Sequence, residues 1–184
     1  MYIGFSKVFD TVNHNILIQK LKHYGINGNM LELLKSYLNN RRQFTVANGT
    51  QSDEMEINCG VPQGSVLGPL LFILYTNDIQ NCTEQTLKLF ADDTNGFIFE
   101  NSYSTLKRKI KELLLNLFKW SEDNKLTINI SKTCYTIFQN HKGEAPSYLN
   151  SVTVPIKETP NMTPKNVAIQ REKVSKYLII WGYT

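Results

Sequence analysis

The chain has few cysteines, no long apolar run and little excess of charge of either sign. Cys59, Cys82 and Cys134 are the only three cysteines in 184 residues; they are odd in number and lack the spacing of metal ligands. That argues against a disulfide framework and a cysteine-based zinc site, and reduced thiols in an intracellular compartment, cytoplasmic or nuclear, are the simplest expectation. The longest apolar run, Leu70 to Tyr75, is far shorter than the roughly 20 residues of a membrane-spanning helix, so no membrane segment is expected. The start, Met1 to Lys7, has no basic stretch followed by a long apolar one, so no signal peptide is expected either. No internal repeat is present, which excludes a solenoid. His14, His23 and His141 have no metal-ligand spacing and read as surface or packing residues. A net charge of +4 permits a polyanionic partner without demanding one.

What is present is ordinary globular composition, 41% hydrophobic and 20% charged residues, enough to bury one sizeable core as a single domain. Ile16, Leu17, Leu21 and Tyr24 recur at helical spacing, as do Met30, Leu31, Leu34, Tyr37 and Leu38 in a second helix that ends near Asn39-Asn40. Leu106, Ile110, Leu113, Leu114, Leu117 and Phe118 make the clearest stripe, with Lys107, Arg108, Lys109 and Lys111 on a face that reads as solvated. Phe44-Thr45-Val46, Thr127 to Ile130 and Tyr135 to Phe138 alternate like strands, the last pairing with its neighbour as an edge. Strands interleaved with helices but closed by hairpins predict an α+β fold, an antiparallel sheet with helices packed on one face. From His141 the pattern dissolves, and Pro146, Pro155, Pro160 and Pro164 make residues 141–170 read as a Pro-containing loop or poorly ordered segment.

One short segment invites a chemical reading. In Phe90-Ala91-Asp92-Asp93, adjacent carboxylates follow an alternating stretch containing Leu87 and Leu89, and Phe97-Ile98-Phe99 resumes after Thr94-Asn95-Gly96. This predicts a hairpin with the acids at its turn. Two like charges held together repel, and a divalent cation is the usual neutralising partner. Asp-Asp is also common turn composition, so both readings stand at this point.

Upstream runs Gly60-Val61-Pro62-Gln63-Gly64-Ser65-Val66-Leu67-Gly68-Pro69-Leu70-Leu71-Phe72, continuing to Asn77-Asp78-Ile79. This string, paired with the later Phe-Ala-Asp-Asp, resembles the palm of reverse transcriptases, in particular those of jockey-like non-LTR retrotransposons. Phe5-Ser6-Lys7-Val8-Phe9-Asp10-Thr11-Val12-Asn13-His14 looks like the family's first palm motif, and Trp120 through Asn124 to Thr133 looks like its fourth. Tyr24-Gly25-Ile26, Ser36-Tyr37-Leu38 and Arg41-Arg42-Gln43 are also similar to it. The resemblance covers about residues 4 to 139, with a weak echo near Tyr177-Leu178.

The resemblance implies an RNA-directed DNA polymerase that joins deoxynucleotides to a DNA primer on an RNA template, by a two-magnesium nucleotidyl transfer. Asp92 and Asp93 would be the metal ligands, with Lys132 assisting the pyrophosphate leaving group. Phe9 would screen the sugar 2′ position, Gln63 would touch the nucleotide sugar, and Gly64 would let the template–primer pass close to the backbone. Arg41 and Arg42 suit a helix end, with phosphate contact as a second role. The family also has an aspartate at the end of the first palm strand, and here that position is Gly4. The implied expectation is an impaired or inactive enzyme, with Asp10 a poor substitute because a misplaced ligand loses much of its effect. By resemblance, residues 1–140 are the palm, incomplete at its N-terminal edge, and residues 171–184 are a truncated primer-grip-like segment. Fingers and thumb are then missing or truncated. The alternative is a non-catalytic nucleic-acid-binding or interaction module derived from a retroelement palm.

Overall fold

Ile3 and Phe5 alternate with Tyr2 and Gly4 in the first strand, β1 (Tyr2–Phe5), and this alternation separates the two faces of the sheet. The computed structural model describes residues 1–91, 93–138, 145–156 and 165–171. Three helices follow β1: α1 (Val8–Thr11), α2 (His14–His23) and α3 (Gly28–Leu38). An exposed ribbon comes next, built from the two-residue strands β2 (Arg42–Gln43), β3 (Val46–Ala47), β4 (Thr50–Gln51) and β5 (Met55–Glu56). The helix α4 (Leu67–Thr76) runs into a 3-10 turn over Asn77–Cys82, followed by the hairpin β6 (Thr86–Phe90) and β7 (Asp93–Phe97). The long helix α5 (Tyr103–Asp123) precedes β8 (Ile128–Tyr135), β9 (Ser151–Ile156) and β10 (Lys165–Arg171).

The architecture is α+β, with a six-stranded sheet of order β6-β7-β1-β8-β10-β9. It differs from the sequence expectation in three ways. The sheet is mixed, because β10 pairs β8 in parallel through Gln170↔Cys134 and Arg171↔Tyr135. The chain leaves β8, turns through β9 and returns as β10, so β10 meets β8 running in the same direction. Secondly, residues 151–156 and 165–171 are paired strands within the stretch expected as a loop. Val152, Val154 and Ile169 bury there at strand spacing, and Pro155 is tolerated because β9 lies at the edge of the sheet. Thirdly, Thr127–Ile130 and Tyr135–Phe138 do not pair with each other; Ile128 to Tyr135 is one strand between β1 and β10. The expected primer-grip-like segment lies, beyond Arg171, outside the described residues, as does His141.

Helices cover the face to which Ile3 and Phe5 point. These two side chains join Leu17, Leu21, Leu71, Phe72, Leu113, Leu117 and Trp120 in the main core. A second cluster packs Ile110 and Leu114 of α5 against Tyr135, Val152, Val154 and Ile169. The apolar stripe of α5 thus serves both ends of the sheet, as its helical spacing predicts. Three basic residues of α5 are engaged locally: Lys107 Nζ donates to the Tyr148 carbonyl at 2.7 Å, Arg108 pairs with Glu112 at 3.4 Å, and Lys109 pairs with Glu100. No helix among the described residues is long and apolar enough to cross a membrane.

A polar knot fastens α2, α4 and α5 together. Lys20 Nζ donates to Asp78 Oδ1 and to the Tyr75 carbonyl, each at 2.6 Å, and lies over the rings of Tyr75 and Trp120 at 4.9 and 5.3 Å. Trp120 Nε1 donates to the same Asp78 oxygen at 3.2 Å. Burial pushes the Lys20 pKa down, and the Asp78 carboxylate works against that. The phenol of Tyr75, fully buried, donates to the Asn124 carbonyl at 2.5 Å. Burial raises its pKa from 10.0 to about 12. The folded state therefore holds this proton more tightly than the unfolded chain; the stability it contributes is intact below pH 10 and lost as pH rises to about 12. Tyr75→Phe is expected to cost about 1–2 kcal/mol at neutral pH, by leaving the Asn124 carbonyl without its donor. It is also expected to flatten the alkaline decline, read from urea unfolding across that pH range.

Candidate active site

The turn between β6 and β7 is tight. Phe90 pairs with Asp93 across the ladder, which leaves Ala91 and Asp92 as the connection, and Ala91 adopts φ 52°, the left-handed conformation that two-residue hairpins favour. Asp92 lies outside the described residues. Thr94, Asn95 and Gly96, expected to lie before the second strand resumes at Phe97, belong to β7. Thr94 is buried, and a Cβ on Gly96 would come within 3.0 Å of Leu113 Cδ2, so small residues here let α5 sit close to the sheet.

Asp93 opens β7, and its partner on β1 is Gly4. Directly opposed residues share a face of the sheet, so Asp93 lies on the Gly4 and Tyr2 side, away from the helices. The Tyr2 hydroxyl donates a hydrogen bond to Asp93 Oδ1. On its other flank β1 pairs β8, with Phe5 against Ile128 and Gly4 against Asn129; Tyr2 then meets Cys134 where regular pairing would place Ser131. Three extra residues of β8 are thus accommodated as a bulge beside Gly4. Lys132 belongs to this bulge, and its stem lies over Gly4.

The segment around Gln63 is built against α1. Gly60 N donates to the Val12 carbonyl at 2.8 Å, and Val61 N donates to the Phe9 carbonyl at 2.7 Å. Gly60 has φ 87°, and a Cβ there would meet the carbonyl oxygens of Phe9 and Asp10 at 2.9 Å. Gln63 Nε2 donates to Asp10 Oδ1 at 2.8 Å. Asp10 is therefore turned toward Gln63. Phe9 is half-buried and stacks on Phe72 of α4, with ring centroids 4.7 Å apart. Gly64 is exposed at φ 78°, with nothing within 4 Å of the position a Cβ would take. Ser65 Oγ closes the turn: it donates to the Pro62 carbonyl at 2.7 Å and accepts from Gly68 N at 2.9 Å and from the Tyr37 hydroxyl at 2.7 Å. His14, read from the sequence as surface or packing, has its Nε2 2.7 Å from the Gly60 carbonyl and anchors the start of α2 to the same segment.

One strand and its following turn thus link both parts of the site. β1 brings Gly4 to Asp93, and α1, immediately after it, carries Phe9 and Asp10 to Gln63. Sequence reasoning missed Tyr2, Ser65 and the Asp10–Gln63 contact. Tyr2 had a signal, since it precedes Gly4 by one full strand period on the same face; the others depend on contacts between distant parts of the chain. Arg41 lies 5.7 Å over the ring of Tyr37, the residue whose hydroxyl bonds Ser65, and Arg42 pairs with Glu54 at 3.3 Å. Among the described residues, no group of three or more His, Cys, Asp or Glu could hold a metal ion.

Comparison with known proteins identifies the family. The family model described as reverse transcriptase (RNA-dependent DNA polymerase) matches residues 1–178. The chain is 31% identical to the probable RNA-directed DNA polymerase from transposon BS of Drosophila melanogaster, over 83% of this chain and 18% of that protein. The corresponding protein from transposon X-element of Drosophila melanogaster is 31% identical over 84% of this chain and 18% of its own length. The RNA-directed DNA polymerase from mobile element jockey of Drosophila melanogaster is 29% identical over 79% of this chain and 17% of its own length. The chain spans less than a fifth of each of these relatives. By the family match over residues 1–178 and these relatives, the chain belongs to the reverse transcriptase family, among the domains of jockey-like non-LTR retrotransposons.

Proposed function

We propose that this chain is the palm portion of an RNA-directed DNA polymerase from a retroelement, with polymerisation strongly impaired by the glycine at position 4. The observation that carries the reading is the pairing of Gly4 with Asp93, which puts a residue without side-chain oxygens beside the Asp93 carboxylate. In this reading Asp92 and Asp93 are the remaining metal ligands, Phe9 faces the sugar of the incoming nucleotide, Gln63 touches that sugar, Gly64 lies under the template–primer, and Lys132 adjoins the leaving group. The strands β9 and β10 extend the palm sheet, and fingers and thumb belong to other parts of such a polymerase.

Reverse transcriptases as a family use divalent metal ions, here taken to be magnesium. The described residues do not fit a full cation set. Gly4 offers no ligand, one oxygen of Asp93 already accepts from Tyr2, and the Lys132 stem crosses Gly4. What the chain's own groups do is hold and orient. Asp10 fixes the Gln63 amide, Phe72 backs Phe9, and Tyr2 fixes the Asp93 carboxylate.

The test is extension of a primed RNA by this chain joined to the remaining parts of the jockey polymerase. Salt-sensitive binding of the primed RNA with only weak magnesium-dependent extension, lost in Asp92→Ala, supports the reading. Binding with no extension at all points to a purely interacting module. Absence of binding even at low salt overturns the assignment of this face to nucleic acid.

A further inference from the structure

Tyr2 and Gly4 sit one strand period apart on β1, and their partners on β7 are Asn95 and Asp93. All four residues therefore share the face of the sheet opposite the helices. Tyr2 and Asp93 are diagonal neighbours on that face, a spacing within reach of an aromatic side chain. The ring runs alongside the open position 4, where a Cβ on Gly4 would lie 3.6 Å from Tyr2 Cε1, an ordinary contact. From there the hydroxyl donates to Asp93 Oδ1. Both residues are half-buried, so water weakens this bond less than one on the open surface. A carboxylate only accepts and the phenol carries the proton, so Asp93 is served by a neutral donor. A cation drawn to both oxygens of Asp93, or bridging through Oδ1, meets that proton in its way.

We propose that Tyr2 competes with divalent cations for Asp93: its hydroxyl occupies Oδ1 and draws charge from the carboxylate, forming a closed pair that has to open before both oxygens are available to a metal. The phenol thus takes over part of the neutralising role that adjacent acids otherwise leave to a cation. The competition rests on the reading of Asp93 as a metal ligand. The hydrogen-bonded pair stands without it.

Tyr2→Phe keeps the ring and deletes only the donor. Titration of the full chain with Mn2+ alone, followed by water proton relaxation, is expected to show about three- to tenfold tighter binding by Tyr2→Phe than by the unaltered chain. Without metal, the same variant is expected to melt roughly 2–4 °C lower, because the pair is lost. Saturating Mn2+ should then narrow that gap, since the tighter binder gains more stability from the metal. Unchanged affinity in Tyr2→Phe means that Tyr2 only packs, and weaker affinity means that its bond orients Asp93 for the cation. Either result, with Mn2+ binding still weakened by Asp93→Ala, overturns the competition and leaves the ligand reading in place. Conversely, Asp93→Ala abolishing the thermal effect of Tyr2→Phe while leaving Mn2+ binding untouched keeps the pair and removes the ligand reading, and the competition with it. Additive thermal effects of the two changes overturn the pair itself.

Discussion

Joined to the remaining parts of the jockey polymerase, this chain is expected to extend a primed RNA at roughly one thousandth of the intact relative's rate, or less. The argument is one of charge at the transition state. Nucleotidyl transfer develops negative charge on the attacking and leaving oxygens, and carboxylate-held cations neutralise it. Losing one of the carboxylates that would hold such cations would cost several kcal/mol, and each 1.36 kcal/mol is a factor of ten, so about 4 kcal/mol gives the thousandfold figure. Asp10 does not compensate, because its Oδ1 is 2.8 Å from Gln63 Nε2 and it sits in α1 rather than beside Asp93. Single-turnover extension measures the rate, and undiminished binding of the primed RNA separates a chemical defect from misfolding. A rate within about tenfold of the intact relative would sink the view that Gly4 matters.

Gly60→Ala is expected to lower stability by about 3 kcal/mol or more. Two costs act together. At φ 87° an L-residue is strained, and the new Cβ would sit 2.9 Å from the carbonyl oxygens of both Phe9 and Asp10. Neither oxygen can retreat without cost, because the Phe9 carbonyl accepts from Val61 N at 2.7 Å and the Asp10 carbonyl accepts from Cys59 Sγ at 3.3 Å. The loop would be pushed off α1, taking Gln63 away from Asp10. Gly64→Ala is the control: its φ of 78° carries strain, but the space around it is open, so only about 1–2 kcal/mol is expected. Denaturant midpoints at constant m compare the two directly. Equal effects would show that strain alone, without the close approach, governs this segment.

The helices were legible in the sequence because each buries one face, and a buried face writes its period into the chain. Leu106 to Phe118 appeared as a stripe and is the core-facing side of α5. The helix after the first motif and the one ending near Asn39-Asn40 likewise correspond to α2 and α3. The hairpin with the acids at its turn was legible for the same reason, but its second strand begins earlier than expected, at Asp93. Asn95 and Gly96 have turn chemistry, and only the packing of α5 on Gly96 shows why a glycine belongs inside a strand. The prolines after His141 misled in a similar way. Pro155 is compatible with a strand when that strand is an edge, and edge position is a property of the whole sheet.

By itself, the sequence determined the family, through motifs whose order along the chain no packing argument is needed to read, and it determined that position 4 is a glycine. The tertiary structure alone decided which residues meet: Gly4 with Asp93, Tyr2 with the same carboxylate, Gln63 with Asp10, and Lys132 over Gly4. The reason is physical. Periodicity and turn chemistry act between near neighbours in the chain, whereas strand register, a bulge and a glycine's close approach are settled only when distant segments compete for the same space.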